Sequence, residues 1–145
     1  MTSQRVDRRS ADPHVQKREA VNGPGGRVLL VDSITQLEPR DAGALVVAAS
    51  HGGTSSATFA LAVPLRVVVF NDAGVGKDAA GIAALPLLAA AGIAAAAVAH
   101  TSARIGDAED MWASGIVSHA NSAARALGLV PGVRLHDALT RLVFG

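Results

Sequence analysis

His51, Asp72 and His100 are residues whose types can move a proton near neutral pH, and each follows closely on a short apolar run. Imidazole titrates nearest neutrality and serves as acid or base, while a carboxylate orients a ring or shares its proton. Ala44–Ala49 leads into Ser50-His51-Gly52-Gly53, and Ile93–Ala99 leads into His100-Thr101-Ser102-Ala103-Arg104. Between them, Arg66–Phe70 leads into Asn71-Asp72-Ala73-Gly74-Val75-Gly76-Lys77-Asp78. A fourth run, Val28–Val31, leads into Asp32-Ser33. If these runs are parallel strands, the polar clusters meet at their carboxyl ends, where open α/β sheets bind ligands.

The residues around the three candidates supply binding groups. Lys77 and Arg104 are cations suited to a substrate's anionic group, Arg as a planar fork for a carboxylate. Ser50, Asn71 and Ser102 add hydrogen bonds, and the amides of Gly52, Gly53, Gly74 and Gly76 are expected as oxyanion donors. Arg104 has a bland alternative, a surface salt bridge to Asp107. His51 has one too, as a turn residue that caps a helix or binds the backbone.

Three motifs come close and fail. Gly74-Val75-Gly76-Lys77-Asp78 resembles the end of a phosphate-binding loop, but Asn71 stands where its first glycine belongs and Asp78 where its hydroxyl belongs. Gly74 to Ala79 also fits a dinucleotide fingerprint, yet His100 follows the next strand where an acid is needed. His51-Gly52-Gly53 resembles an esterase oxyanion loop, without the nucleophile elbow that should accompany it. A metal site would have to be assembled from His51, His100, Asp72 and Asp32 on separate loops, since no metal-binding spacing is present. No metal or cofactor is therefore expected.

The elements that position these groups follow from pattern and composition. With 145 residues the chain is large enough for one well-buried core. Half the residues are hydrophobic, but three Phe, one Trp and no Tyr leave the core to Ala, Val, Leu and Ile. A formal charge of +1 argues against nucleic acid or an anionic membrane surface as a partner. The absence of cysteine excludes disulfides and thiolate chemistry. The stretch 79–99 carries no charge and has the length of a membrane span, but Gly81, Pro86 and Gly92 divide it into a helix and a strand. A cytoplasmic protein is expected.

Residues 1–25 are polar and without apolar periodicity, which predicts a flexible tail before a single α/β domain at 26–145. Within that domain, near-continuous apolar strands alternating with helices predict a Rossmann-like three-layer sandwich with a mostly parallel sheet of at least four strands. The link from Ser33 to Gly43 is barely long enough for a crossover, so a hairpin competes there. Helices are expected after Thr54 or Ser55, from a cap at Asp78 to about Ala91, and at Leu135–Val143. A long helix from Asp107 to Leu127 is expected to bury Trp112, Ile116, Ala120, Ala123 and Leu127 along one stripe. His119 falls on that stripe as a core residue, and Asn121 points away from it.

These parts predict a small enzyme performing hydrolysis or proton transfer, as a lyase or isomerase would, on a small carboxylate or amide. His51, Asp72 and His100 are the expected catalytic groups. The competing readings are a non-catalytic module for a small anion or nucleotide, and a small subunit of a larger enzyme. Alanine-rich helices with few charges predict a homo-oligomer.

Overall fold

The computed structural model describes residues 16–145, and the first fifteen residues of the expected tail lie outside the described residues. The fold is α/β, built on one six-stranded mixed sheet in the order β1-β2-β3-β4-β5-β6. Its strands are β1 (Lys17–Gly23), β2 (Gly26–Val31), β3 (Leu45–His51), β4 (Val67–Asn71), β5 (Ala94–Val98) and β6 (Val117–Ala120). The four central strands are parallel. Both edge strands run antiparallel to their neighbours.

Residues 17–23 thus form a strand where a flexible tail was expected. Alternation in this stretch is weak, and pairing with β2 supplies what the pattern lacks. Lys17 anchors it: its Nζ donates to the Gln36 carbonyl at 2.9 Å and pairs with buried Asp41 at 3.0 Å. The link between residues 33 and 43 is a crossover made of two 3-10 turns, Ile34–Gln36 and Pro39–Asp41, and β2 and β3 are parallel. Ser33 caps the first turn and Pro39 opens the second, so each turn is set by local chemistry.

Alternate residues of the central strands face two cores. Leu29, Val46, Val68 and Phe70 pack under the helices α1 (Thr54–Leu61) and α2 (Ala84–Ala90). Leu30, Val47, Val69 and Val98 face α3 (Ala108–Ser114), α4 (Ser122–Ala126) and α5 (Leu135–Phe144). Strands β2 to β5 are added in one direction, so connections of constant hand stay on one face, and the second face is covered by the chain after β5. The order has no reversal of the kind that creates a switch-point crevice in doubly wound sheets.

Strand β5 contains four alanines in succession, residues better suited to helices than to sheets. It is completely enclosed, between β4 and β6 in the sheet and between α2 and α4 above and below. Tertiary burial overrides propensity, and the small side chains let both helices come close.

The expected helix from Asp107 to Leu127 is instead α3, β6 and α4. Gly115 ends α3, because a Cβ there would lie 2.5 Å from the Met111 carbonyl oxygen. The β-branched Ile116 and Val117 then run extended, and Asn121 begins the next helix. Asn121, expected to point outward, accepts from the Ala95 and Ala124 amides and donates to the Leu85 and Ile93 carbonyls. Similarly, Asp78 is not a helix cap: its backbone is left-handed, and α2 begins six residues later with Pro86 tolerated in its first turn. Among the described residues no helix is long and apolar enough to cross a membrane.

Candidate functional site

Asp72 follows β4, and its side chain is only 6% exposed. Oδ1 accepts from the Gly74 amide at 2.8 Å and from the His100 amide at 3.0 Å. Oδ2 accepts from the Ser118 hydroxyl at 2.7 Å. Burial pushes the carboxyl up, but Ser118, the two amides and the His100 charge outweigh it and hold the group below the usual carboxylate range. Asp72 is therefore an anion at neutral pH and can only accept.

Two imidazoles turn toward it. His100 Nδ1 stands 3.4 Å from Oδ1, and His119 Nδ1 stands 3.9 Å from Oδ2 and 3.0 Å from the Ser118 Oγ. Since the Ser118 proton goes to Asp72, the neutral His119 ring must donate from Nδ1 to the Ser118 oxygen. That assignment leaves its Nε2 as an acceptor. His100 likewise meets the carboxylate with Nδ1 and is 55% exposed. Ser118 and His119 reach Asp72 only because β6 pairs with β5, so sequence reasoning missed the first and assigned the second to the core. The β-branched pair after Gly115 was the available signal for a strand.

His51 ends β3, two strands from His100 across the sheet. Its ring folds back over Gly53, where a Cβ would lie 2.7 Å from Nε2. It lines a cleft of about 360 Å³ with Asp32, Ser50, Phe59 and Ile105. His100 and Arg104 line a second cleft of about 450 Å³ with Ala73 and Ile105. Ile105 is thus the wall common to both.

The remaining candidates divide between structural and free groups. Asn71 is fully buried, donating to the Ala103 carbonyl and accepting from the Ala73 amide. Ser102 donates to the Ala99 carbonyl and accepts from the Ile116 amide. Ser50 accepts from the Ile34 amide. The amides expected as oxyanion donors are largely engaged: Gly52 with the Asn71 and Gly81 carbonyls, Gly74 with Asp72, and Gly76 with the Gly74 carbonyl. Asp32 accepts from the Gln16 and Ala108 amides. Arg104 is exposed and bonds Asp107 at 3.1 Å. Lys77 is exposed, lines neither cleft, and has no ion-pair partner among the described residues.

The loop between β4 and α2 is strained. Ala73, Val75, Asp78 and Ala79 all have positive φ, between 51° and 68°, alongside Gly74 at 78° and Gly76 at 74°. Left-handed backbone costs a non-glycine residue about 1–2 kcal/mol, and a β-branched one such as Val75 rarely adopts it. Bonds from the Val75 amide to the Asp72 carbonyl and from the Gly81 amide to the Val75 carbonyl, both 2.7 Å, hold the loop in this shape.

Among the described residues no group of three His, Asp or Glu side chains is gathered for a metal ion. No family model matches the chain, and neither the curated proteins nor the solved structures contain a significant match to it.

Proposed function

We propose that the chain is a small enzyme that moves protons on a small carboxylate or amide substrate, by hydrolysis or by lyase or isomerase chemistry. The observation that carries this reading is the buried, ionised Asp72 facing His100 Nδ1. A neutral ring that carries its proton on Nδ1, 3.4 Å from the carboxylate, keeps Nε2 as its proton acceptor, and His100 lines the second cleft. Nε2 takes a proton from substrate or water, and Asp72 stabilises the imidazolium that forms. Arg104 supplies the cation for the substrate's anionic group. His51 enters as a second acid–base group for a substrate that spans both clefts.

The engaged amides of Gly52, Gly74 and Gly76 support this reading over a module that cradles an anion on free backbone donors. Strain in the loop after Asp72 also favours it, because strained backbone concentrates at functional sites. We read the architecture as a variant of the Rossmann-like three-layer sandwich, with the site at the carboxyl ends of its parallel strands. A homo-oligomer is part of the same proposal. Leu61 and Leu87 are exposed on α1 and α2, whose sequences carry no charge.

Proton NMR in D2O with a panel of small 2-hydroxy and 2-oxo acids and amides tests the reading. Wild type is expected to exchange or cleave at least one of them, and a folded His100→Gln variant is expected to leave it unchanged. Wild-type inactivity across the panel, or equal activity of the variant, overturns it.

A further inference from the structure

We propose that the ligand of this site is a polyhydroxy carboxylic acid, lying across Ile105 with its carboxylate beside Arg104 and its hydroxylated chain in the His51 cleft. The inference rests on the reading above only for the chemistry at His100, since recognition comes from other residues.

The two clefts adjoin at Ile105, which is 53% exposed, yet their chemistry differs. In the second cleft Arg104 is the fixed charge. Its fork suits a planar carboxylate, and the Asp107 carboxylate it bonds is half-buried and accepts from the Asp110 amide with its other oxygen, so a ligand that takes the guanidinium leaves that cap in place. No lysine or arginine is among the described residues that line the first cleft. Both oxygens of the carboxylate there, Asp32, already accept from backbone amides. An anionic group placed there would meet Asp32 with no cation to offset it.

A purely apolar chain fits the first cleft no better. The Ser50 oxygen accepts from the Ile34 amide, so its proton remains to be given to a ligand. Ser33 and Thr35 share a hydroxyl pair at the same wall, and Ser55 and the His51 ring complete the polar lining. Covering the Ser50 and Ser55 hydroxyls with hydrocarbon would leave their protons without water or an acceptor. Ile34, Phe59 and Ile105 add apolar surface to the same lining. A chain that carries both hydroxyls and C–H groups satisfies both kinds of surface.

The span is also right. The strands that lead into His51 and His100 are two spacings apart, about 10 Å. An extended chain of six carbons advances about 1.25 Å per bond, about 6 Å in all, and its terminal oxygens extend that reach toward both clefts.

Calorimetry with three probes of equal chain length tests the proposal: gluconate, sorbitol and hexanoate. Gluconate is expected to bind about tenfold more tightly than either of the others, because each of them leaves one cleft's polar groups unanswered. Arg104→Gln is expected to lower gluconate to the level of sorbitol and to leave sorbitol unchanged. Ile105→Trp, which fills the shared wall, is expected to weaken gluconate most, with circular dichroism verifying the fold of both variants. Equal binding of gluconate and either single-function probe overturns the proposal, as does no binding of any of the three. Gluconate binding by a wild type that is inactive across the whole panel would overturn the proposed function and leave this inference standing. Turnover of a simple carboxylate by an enzyme indifferent to gluconate would do the reverse.

Discussion

The Ser118 hydroxyl donates to Asp72 Oδ2 at 2.7 Å, joining the edge strand β6 to the loop after β4 past the strand that lies between them. This bond closes one side of the carboxylate and leaves the other to the Gly74 and His100 amides. It determines which atom of His119 carries the proton, and it helps keep Asp72 ionised.

Ser118→Ala is expected to cost about 1.5–3 kcal/mol, the range for a hydrogen bond to a charged group. It should also change the acid limb of stability. The folded Asp72 carboxyl lies below its unfolded value, so its contribution is present above about pH 4 and is lost as pH falls through the folded value. Removing Ser118 raises the folded value toward the unfolded one. Acid unfolding followed by circular dichroism should therefore begin at higher pH in the variant; an unchanged acid midpoint would contradict the role given to this bond.

Asp72→Asn preserves shape but puts an amide nitrogen against a donor. The variant is expected to lose about 1–3 kcal/mol of stability, because the Ser118 hydroxyl is left with only the longer bond to the Ala97 carbonyl, and to lose His100-dependent chemistry. Chemical denaturation gives the first quantity and the D2O exchange assay gives the second. Retained exchange would separate Asp72 from the reaction.

Ala79→Gly relieves a left-handed, exposed alanine. A glycine there is expected to raise stability by up to about 1 kcal/mol, less the entropy it adds to the unfolded chain. Thermal melting should show an unchanged or higher Tm. A clear fall in Tm would mean that the loop is not strained at that position.

Lys77→Ala is expected to leave Tm within a few degrees, since exposed substitutions away from partners usually cost less than about 0.5 kcal/mol. Lying outside both clefts, Lys77 acts on an anionic ligand only through its field. The loss of affinity should be modest, about threefold at low salt, and should vanish at high salt. Calorimetry at two ionic strengths reads both outcomes, and a salt-independent loss would indicate direct contact.

The exposed Leu61 and Leu87 should become covered when two copies meet through α1 and α2. Light scattering at micromolar concentration is expected to give a dimer for wild type and a monomer for Leu87→Glu. A monomeric wild type would count against self-association.

The four parallel strands were legible in the sequence because an enclosed strand needs apolar residues on both faces, and four short apolar runs between turn residues satisfy that demand. Asp72 and His100 could be named from position alone, since residues just beyond parallel strands gather at one end of a sheet. The edge strands were not legible. Lys17–Gly23 is polar because an edge strand faces water, and Val117–Ala120 lies inside a stretch whose alanines fit a helical period equally well. Only the tertiary structure brought Ser118 and His119 to Asp72, through an antiparallel pairing that no local pattern encodes. It also decided which glycine amides remain free, because that depends on carbonyls from distant segments: the Gly52 amide meets Gly81, and the Asn121 side chain ties β5 to α2 and α4. Residue type sets which chemistry is available, and long-range hydrogen bonding decides which of those groups are left to use it.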